Sequence, residues 1–600
     1  MLASISGVEK DAALIKIMGY PPARAGRRIK RDKRNLFEGD GWMFKKAFDG
    51  LNGAEMLVQC LEAAGVRHVF GIPGAKIDPV FEAIKDSSIE LVVCRHEQNA
   101  GFIAACMGRL TGIPGVCIGT SGPGTSNFVT PLITATTEGD PMLCLTGAVP
   151  QRQKHQHTHQ SMDNVSLMKP VTVYSEEVAS ASAMPELVAT AMQVATSGQR
   201  GGAYLSLPYD ILLDESVGTP LQMTSPAQGP APQAEIETVA SIIASAQCPV
   251  VFAGAESTSD EAASAVRAFL KHHRMPVVNT WEAAGIVPRD LADCYLGRVG
   301  LFHNQPGDQL LSQADVIITI GFDQVEYDPV LWNSGSEATL IHINTHPADP
   351  DSSYKPAHQL IGAIGATMSS LDALLPELPA VDERPGVTSL REALHQSHCD
   401  RSGHDRMPAH PITVVDQIQV VADEDPNTTV ICDVGSNYIW LGRVFRSYEP
   451  HHLLFSNGQQ TLGVALPWAI ATCLARPNTP VISMSGDGGF LFSAQELETA
   501  VRLGCNFTHL VWTEGTYDMV AFQQRMKYGR DSGVRFGEPD IVKYAESFGA
   551  QGLRLEQASG LADLIRQGLA TPGPTLIDVP VDYSENDSLG AAMNKNWAIH

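Results

Sequence analysis

From Leu51 onward, short apolar runs alternate with stretches whose apolar residues recur at helical spacing. Residues 51–65 read as a helix and 66–72 as an apolar strand closed by the Pro73-Gly74 turn. A further helical stretch follows, then a strand over 89–93, and the rhythm continues through strands at 115–119 and 142–146. Strands separated by helices in this way predict a parallel sheet covered on both faces, here a first α/β domain over residues 50–215. The stretch 219–233, with Pro220, Pro226, Pro230 and Pro232, reads as a linker. A second alternation over 235–380 has strand candidates at 250–253, 277–279, 316–320 and 339–343. After it, residues 380–411, interrupted by Pro385, Pro408 and Pro411, read as a crossing linker, and a third domain occupies 410–585. The fold class expected is α/β, with three doubly wound parallel-sheet domains.

Three domains suit a chain of 600 residues, which exceeds what one hydrophobic core supports. With 44% hydrophobic and 18% charged residues, the composition is that of a globular protein rather than a disordered one. No run of about eighteen apolar residues predicts a membrane span. A formal charge of −24 would repel a phosphate backbone, so nucleic acid is not an expected partner. The cysteines are scattered without a Cys-x-x-Cys pair and read as small core residues of a reduced, cytoplasmic protein. Residues 1–49 carry a basic cluster from Arg24 to Arg34 but also Glu9, Asp11, Asp32, Glu38 and Asp40, unlike acid-poor targeting segments, and read as a disordered arm. Were 1–42 a targeting segment after all, the location would be organellar.

The strongest local chemical signal is in the third domain, where a strand over 481–485 ends in Gly486-Asp487-Gly488-Gly489. Ser493 and Glu496 then have the spacing of a capping box, before a helix with Leu497, Ala500, Val501 and Leu503 on one face. The next strand, 507–512, delivers Glu514. One strand, helix, strand unit separates Asp487 from Glu514, so both should emerge at the carboxyl ends of neighbouring strands, where open α/β sheets bind ligands. Two carboxylates with the carbonyls of a glycine-rich turn are hard oxygen donors, suited to a Mg²⁺ that bridges a diphosphate. The glycines let backbone approach such a group closely. In the first domain, Arg95-His96-Glu97-Gln98-Asn99-Ala100 follows a strand and opens a helix; a lone Glu there ordinarily does no more than favour the helix dipole. Lys76, at a strand end, is either a solvated lysine or a group that attracts a carboxylate. Histidines 155, 157 and 159 could share one face of an extended chain, but no Cys, Asp or Glu completes a ligand set before Asp163, so a metal site there is rejected.

Gly486-Asp487-Gly488, followed after one such unit by a ligand-bearing turn, resembles the cofactor motif of thiamine diphosphate enzymes. The segments Ser456-Asn457-Gly458-Gln459-Gln460-Thr461-Leu462-Gly463-Val464-Ala465-Leu466-Pro467 and Tyr517-Asp518-Met519-Val520-Ala521-Phe522-Gln523-Gln524 resemble those of the catabolic, flavin-independent acetolactate synthases of the butanediol and acetoin route. The likeness runs from about residue 52 to residue 585. It implies that two pyruvate molecules are joined into 2-acetolactate with loss of CO₂, through a thiamine diphosphate ylide and a hydroxyethyl enamine. It makes Asp487, Glu514 and the main-chain oxygen of Thr516 the Mg²⁺ ligands. Glu514 departs from the usual Asp or Asn by one methylene, which calls for a small loop adjustment. Glu97 becomes the activating glutamate, a carboxyl in an apolar site that hydrogen-bonds the pyrimidine N1′.

The same resemblance puts Gln160 and His159 in the wall around the reacting carbons, Lys76 near a substrate carboxylate, and Gly74 beside the cofactor. Gly435, Ser436 and Asn437 become a diphosphate-contacting turn that complements Gly486, Asp487, Gly488 and Gly489, and Leu462 the apolar prop that bends the cofactor. Gln460 and Tyr517 join the cofactor pocket. Met519, Val520 and Gln523 face the substrate, the first and last one helical turn apart. Active sites form between two chains, Glu97 from one and Asp487 from the other, which implies a homodimer at least and a dimer of dimers by family habit. In the middle domain, Gly321-Phe322-Asp323-Gln324-Val325-Glu326-Tyr327-Asp328-Pro329 replaces the Arg-Phe-Asp-Asp-Arg stretch of the FAD-holding biosynthetic branch, and Gly297-Arg298-Val299-Gly300-Leu301-Phe302 upstream fits the same side. FAD is therefore not expected. The rival readings are that biosynthetic branch, accepting 2-ketobutyrate, and a cofactor-binding paralogue impaired in turnover, motivated by Glu514.

Overall fold

The structure, a computed structural model, describes residues 50–222, 227–301, 303–399 and 405–586. The N-terminal arm, Pro226 of the first linker and Phe302 lie outside the described residues.

Three six-stranded sheets, parallel throughout, carry the described chain. In the first, the spatial order is Glu90–Val93, His68–Gly71, Gly115–Gly119, Met142–Ala148, Gly202–Pro208 and Tyr174–Glu177. In the third it is Leu453–Phe455, Thr429–Cys432, Val481–Gly486, Thr508–Thr513, Thr575–Pro580 and Gln551–Arg554. Numbered within each sheet, both orders read 2-1-3-4-6-5. The middle sheet, Tyr295–Arg298, Val277–Asn279, Pro249–Ala253, Val316–Ile320, Thr339–Asn344 and His358–Ile361, reads 3-2-1-4-5-6, the order of dinucleotide-binding folds. Met142–Ala148 and Gly202–Pro208 are buried along their whole length, as strands covered on both faces must be. A short antiparallel pair, Leu51–Asn52 with Glu215–Ser216, joins the two ends of the first domain.

The helices follow their local signals. Gly53–Ala63 starts on a capping box, the Asn52 side chain accepting from Glu55 N and the Glu55 carboxylate from Asn52 N, both at 2.8 Å. Glu97–Thr111 ends at Gly112, whose φ of 71° is the left-handed conformation that glycine adopts without strain. This helix packs against Ala465–Ala475 of the third domain, so Phe102, Ile103 and Cys106 share one core with Leu466, Trp468 and Ile470. Arg109 seals the joint. Its guanidinium pairs with Glu138 and Asp140, donates to the Phe455 carbonyl at 2.8 Å, and stacks over Trp468. A buried guanidinium is tolerable only when paired and bonded in this way.

Two expectations from the sequence fail. The stretch read as a crossing linker contains the helix Val387–Cys399, whose Val387 and Leu390 complete the core of the middle domain. The capping box at Ser493 and Glu496 does not form. The chain is already helical over Asp487–Ser493 and continues through a 3-10 turn before which Ser493 makes no side-chain cap, its hydroxyl having no partner, while the Glu496 carboxylate turns toward the first domain.

The ten described cysteines outside the linker helix are unpaired, and all but Cys473 are buried. No helix among the described residues is long and apolar enough to cross a membrane.

Candidate active site

In the third sheet the strands Thr429–Cys432 and Val481–Gly486 are neighbours whose chain connections leave in opposite directions, which opens a crevice at their carboxyl ends. A cavity of about 280 Å³ fills it. Gly435, Ser436 and Asn437 line it from the first strand, and Gly486, Asp487, Gly488 and Gly489 from the second. Gln460 and Leu462 close one side, and Thr516, Tyr517, Met519, Val520 and Gln523 the other. The sequence reading thus converges on one space here. Gly435 has φ 151°, which a side chain would strain, and a methyl group on Gly488 would stand 2.6 Å from the Tyr517 ring. Asp518, buried at the start of the helix Asp518–Tyr528, accepts from Ser436 Oγ at 2.7 Å and ties the two walls together.

Asp487 is buried, and its carboxylate accepts the N–H groups of Gly488 at 2.8 Å, Glu514 at 2.9 Å and Gly515 at 2.7 Å. Burial raises its pKa, and those three bonds work against the rise. Glu514 is the exception among the expected ligands. Its Oε2 accepts from the Thr516 hydroxyl, and the side chain lines an adjoining cavity with Glu538, Arg554 and Asp578, which Asp487 borders as well. Among the described residues there is no cluster of three His, Cys, Asp or Glu side chains that could hold a metal by themselves, so main-chain oxygen would have to contribute.

One residue of this crevice escaped the sequence reading. Asp433, buried at the end of the strand over 429–432, accepts the N–H groups of Gly463 at 2.9 Å, Ala465 at 3.3 Å and its own neighbour Val434 at 2.8 Å. It thereby fixes the loop that presents Gln460, at φ 48°, and Leu462. Burial pushes its carboxyl up to about 7. The only signal in the sequence is an acid closing an otherwise apolar strand, with no local partner.

The first sheet has the same strand order. Glu97 opens its helix, with His96 as N-cap accepting from Gln98 N at 3.1 Å. The glutamate is half-buried, Oε2 accepting from Asn127 Nδ2 at 2.9 Å and Oε1 facing Gly124. Gly74 lies against Thr120, and Gln160, at φ 59°, packs on Gly122. Lys76 follows in the same loop as Gly74, its backbone against Gly147. Glu97, Gly74, Lys76 and Gln160 are therefore gathered at one sheet end, but the cavity of the third domain contains none of them. Histidines 155 and 157 are exposed.

In the middle sheet, the crevice between Pro249–Ala253 and Val316–Ile320 is closed from within. A methyl group on Gly254 would stand 2.3 Å from Phe322 Cα. The Glu326 carboxylate takes the N–H groups of Ala255 at 2.9 Å and Asp323 at 2.8 Å and the Thr280 hydroxyl at 2.6 Å.

Three family models match this chain: the N-terminal TPP binding domain of thiamine pyrophosphate enzymes over residues 51–167, their central domain over 236–371, and their C-terminal TPP binding domain over 433–579. The chain is 50% identical over 542 residues to the acetolactate synthase of Bacillus subtilis (strain 168), an alignment covering 90% of this chain and 95% of the relative. The chain belongs to the thiamine pyrophosphate enzyme family. It is also 43% identical over 541 residues to the catabolic acetolactate synthase of Raoultella terrigena, with 90% and 96% covered. The large subunit of acetolactate synthase isozyme 2 of Escherichia coli (strain K12) is 31% identical over 546 residues, with 89% and 96% covered. The two TPP binding domains of the family cover the first and third sheets, Glu97 lying in one and Asp487 in the other.

Proposed function

We propose that this chain is an acetolactate synthase that joins two pyruvate molecules with loss of CO₂, using thiamine diphosphate and Mg²⁺. The observation that carries the reading is the pairing of two sheets of identical strand order, one with a glycine-lined cavity that a diphosphate would fit and one presenting a glutamate. The residues present fit the cofactor. Asn437 Oδ1 in the third domain, and the Thr120 and Ser121 hydroxyls in the first, are buried polar atoms without a protein partner, as a site made for a polar ligand should have. Gly488 and Gly489 would bring backbone N–H groups to the diphosphate, and Asp487 with main-chain oxygen would hold the metal. Glu514 would reach the metal only after leaving Thr516.

When bound, thiamine diphosphate supplies the electron sink for decarboxylation. Glu97 holds the proton that activates it at Oε1, while Asn127 fixes Oε2. Leu462, on the loop fixed by Asp433, would pack against the bound cofactor. Gln523 and Met519 would orient the second pyruvate, and Lys76 and Gln160 would be brought to it by the first domain. Because Glu97 and Asp487 do not share a cavity within one chain, the working site needs a second copy. Leu491, Phe492 and Val520, exposed beside the third-domain crevice, are the apolar surface that copy would cover, excluding water. FAD has no place in this reading, since Glu326 consumes the donors that a nucleotide phosphate would need in the middle domain.

The test is acetolactate formation from pyruvate by the cofactor-free protein supplied with Mg²⁺ and thiamine diphosphate. A colourless preparation that turns over without added FAD is the expected result. A requirement for FAD would transfer the chain to the biosynthetic branch, and cofactor binding without product would favour the impaired paralogue.

A further inference from the structure

Glu496 has no role in any of the chemistry above, yet it is fully buried and lies against the first domain. Its carboxylate accepts the Arg95 N–H at 3.1 and 3.2 Å, the Asn99 side-chain amide at 2.9 Å and the Thr499 hydroxyl at 2.6 Å. Arg95 and Asn99 sit two residues on either side of Glu97. The same segment grips the turn twice more, through Arg502, which donates to the Val93 carbonyl, and Glu498, which pairs with Arg95 at 3.4 Å. The helix that begins at Glu97 is thus held at its first turn by the third domain of its own chain, from the side away from Gly124 and Asn127.

We propose that Glu496 is a positioning residue for Glu97. All three of its partners donate as they stand, so a carboxylate accepts from them without rearrangement, whereas an amide loses the charge and is satisfied only if the Thr499 hydroxyl or the Asn99 side chain turns to accept. Burial raises the Glu496 pKa, and the bonds from Thr499, Asn99 and Arg95 oppose that rise, in keeping with an acceptor held for these groups. A proton-transfer group must stand within hydrogen-bond reach of its target, and displacement by about 1 Å costs on the order of a hundred-fold. The clamp fixes the main chain of the turn, and Asn127 then fixes the side chain. The local sequence, Ser-x-x-Glu, advertises a helix cap; the fold uses the glutamate to bridge two domains instead.

The inference rests on the reading of Glu97 as the activating group, and two measurements separate their fates. In the cofactor-free chain, amide hydrogen exchange over residues 93–101 reads the clamp directly. Glu496→Gln and Asn99→Ala should each speed it, with the rest of the first domain unchanged. In the holoenzyme, exchange of the thiazolium C2 proton into D₂O should slow by about ten- to a hundred-fold in both variants while cofactor affinity stays within about three-fold. Asn99→Ala keeps Glu496 in place and secures the test should Glu496→Gln fold poorly. Glu97→Gln serves as the reference. If it leaves C2 exchange at the wild-type rate, the reading of Glu97 fails. If it abolishes exchange while both clamp variants exchange normally, or if residues 93–101 keep their protection in both, positioning by Glu496 is overturned and the reading of Glu97 stands.

Discussion

In the third sheet, the turns after Thr429–Cys432 and Val481–Gly486 stand apart around a cavity of about 280 Å³, whereas in the middle sheet the turns after Pro249–Ala253 and Val316–Ile320 touch. Both places are strand-order reversals of a parallel sheet, where main-chain N–H groups converge and an anion is welcome. What differs is the position of a single acid. Asp433 lies beneath the third-domain crevice and spends its oxygens on the loop at 463–465, leaving the space above it open. Glu326 lies within the middle crevice and takes the donors itself. The comparison teaches that strand order creates a potential site, and that the chain decides by one carboxylate whether the site is left for a ligand or filled by the protein.

The hardest blow to this contrast is Asp487→Ala. It removes the acceptor of three main-chain N–H groups and the anion expected to hold the metal, so two phosphates would meet an uncompensated pocket. Losing one partner of a buried charge pair costs about 3–5 kcal/mol, or roughly a hundred- to several-thousand-fold in cofactor affinity. Titration of thiamine diphosphate in Mg²⁺ buffer reads it directly; wild-type affinity would move the metal elsewhere.

Gln523→Ala acts on the same crevice more gently. Its side chain lines the cavity one helical turn from Met519, where a hydrogen bond could orient the second pyruvate. A bond to a charged acceptor is worth about 1.5–3 kcal/mol, so the ratio of acetaldehyde to acetolactate should rise roughly ten- to a hundred-fold. Equal scaling of both products would show that the acceptor is held elsewhere, with Lys76 or Gln160 next to be tested.

Glu326→Ala probes the closed crevice. Three donors lose their acceptor in a buried place, which costs about 3 kcal/mol or more of middle-domain stability, with cofactor affinity in the third domain little changed. Calorimetry showing an unchanged unfolding profile would mean that Gly254 and Phe322 close the crevice without help.

These contrasts mark where the sequence can be read and where it cannot. Inner strands such as Gly115–Gly119, Met142–Ala148 and Val316–Ile320 announce themselves, because a strand buried on both faces needs a continuous apolar run. The part-exposed end strands Tyr174–Glu177 and Gln551–Arg554 do not, and the sequence reading misses Gly202–Pro208 and Thr575–Pro580 as well. Nor is spatial order announced, since nothing in a local run distinguishes 2-1-3-4-6-5 from 3-2-1-4-5-6. Asp487 and Gly488 stand out as a glycine-rich turn at a strand end, and Gly435 through the family resemblance alone. Asp433, Glu326 and Glu496 do not, since each acts on backbone brought to it by the fold. Glu496 and Arg95 are 401 positions apart, and a plausible capping motif supplied a nearer explanation for the glutamate. Glu514 is legible by its place in the chain, but the hydrogen bond it makes with Thr516 is not.

The smallest effect expected is one of pH, and it sets the two crevice acids side by side. Burial pushes the carboxyl of Asp433 up to about 7 and that of Glu326 up to about 8, against roughly 4 in an unfolded chain. For an acid raised in this way the folded state binds the extra proton. Its contribution to stability is therefore complete below about pH 4 and is lost as pH rises through the folded value. Buried histidines work in the opposite sense: burial lowers His342 and His451 to about 4 and His509 to about 3, so they cost stability only as pH falls below about 6.5, where their unfolded counterparts begin to charge. Above about pH 6.5 the carboxyl groups act alone. Stability should decline between about pH 6.5 and 8.5 by on the order of 1–3 kcal/mol, followed by denaturant unfolding of the cofactor-free chain. Asp433→Asn should lessen the part of the decline that ends near pH 7, to which Glu138, raised to about 7 by burial, also contributes, and Glu326→Gln the part that continues to about 8. A profile level across this range in the unmodified chain would show that both acids stay ionised when folded, held so by the N–H groups around them, and the likeness between the two crevices would then extend to their charge.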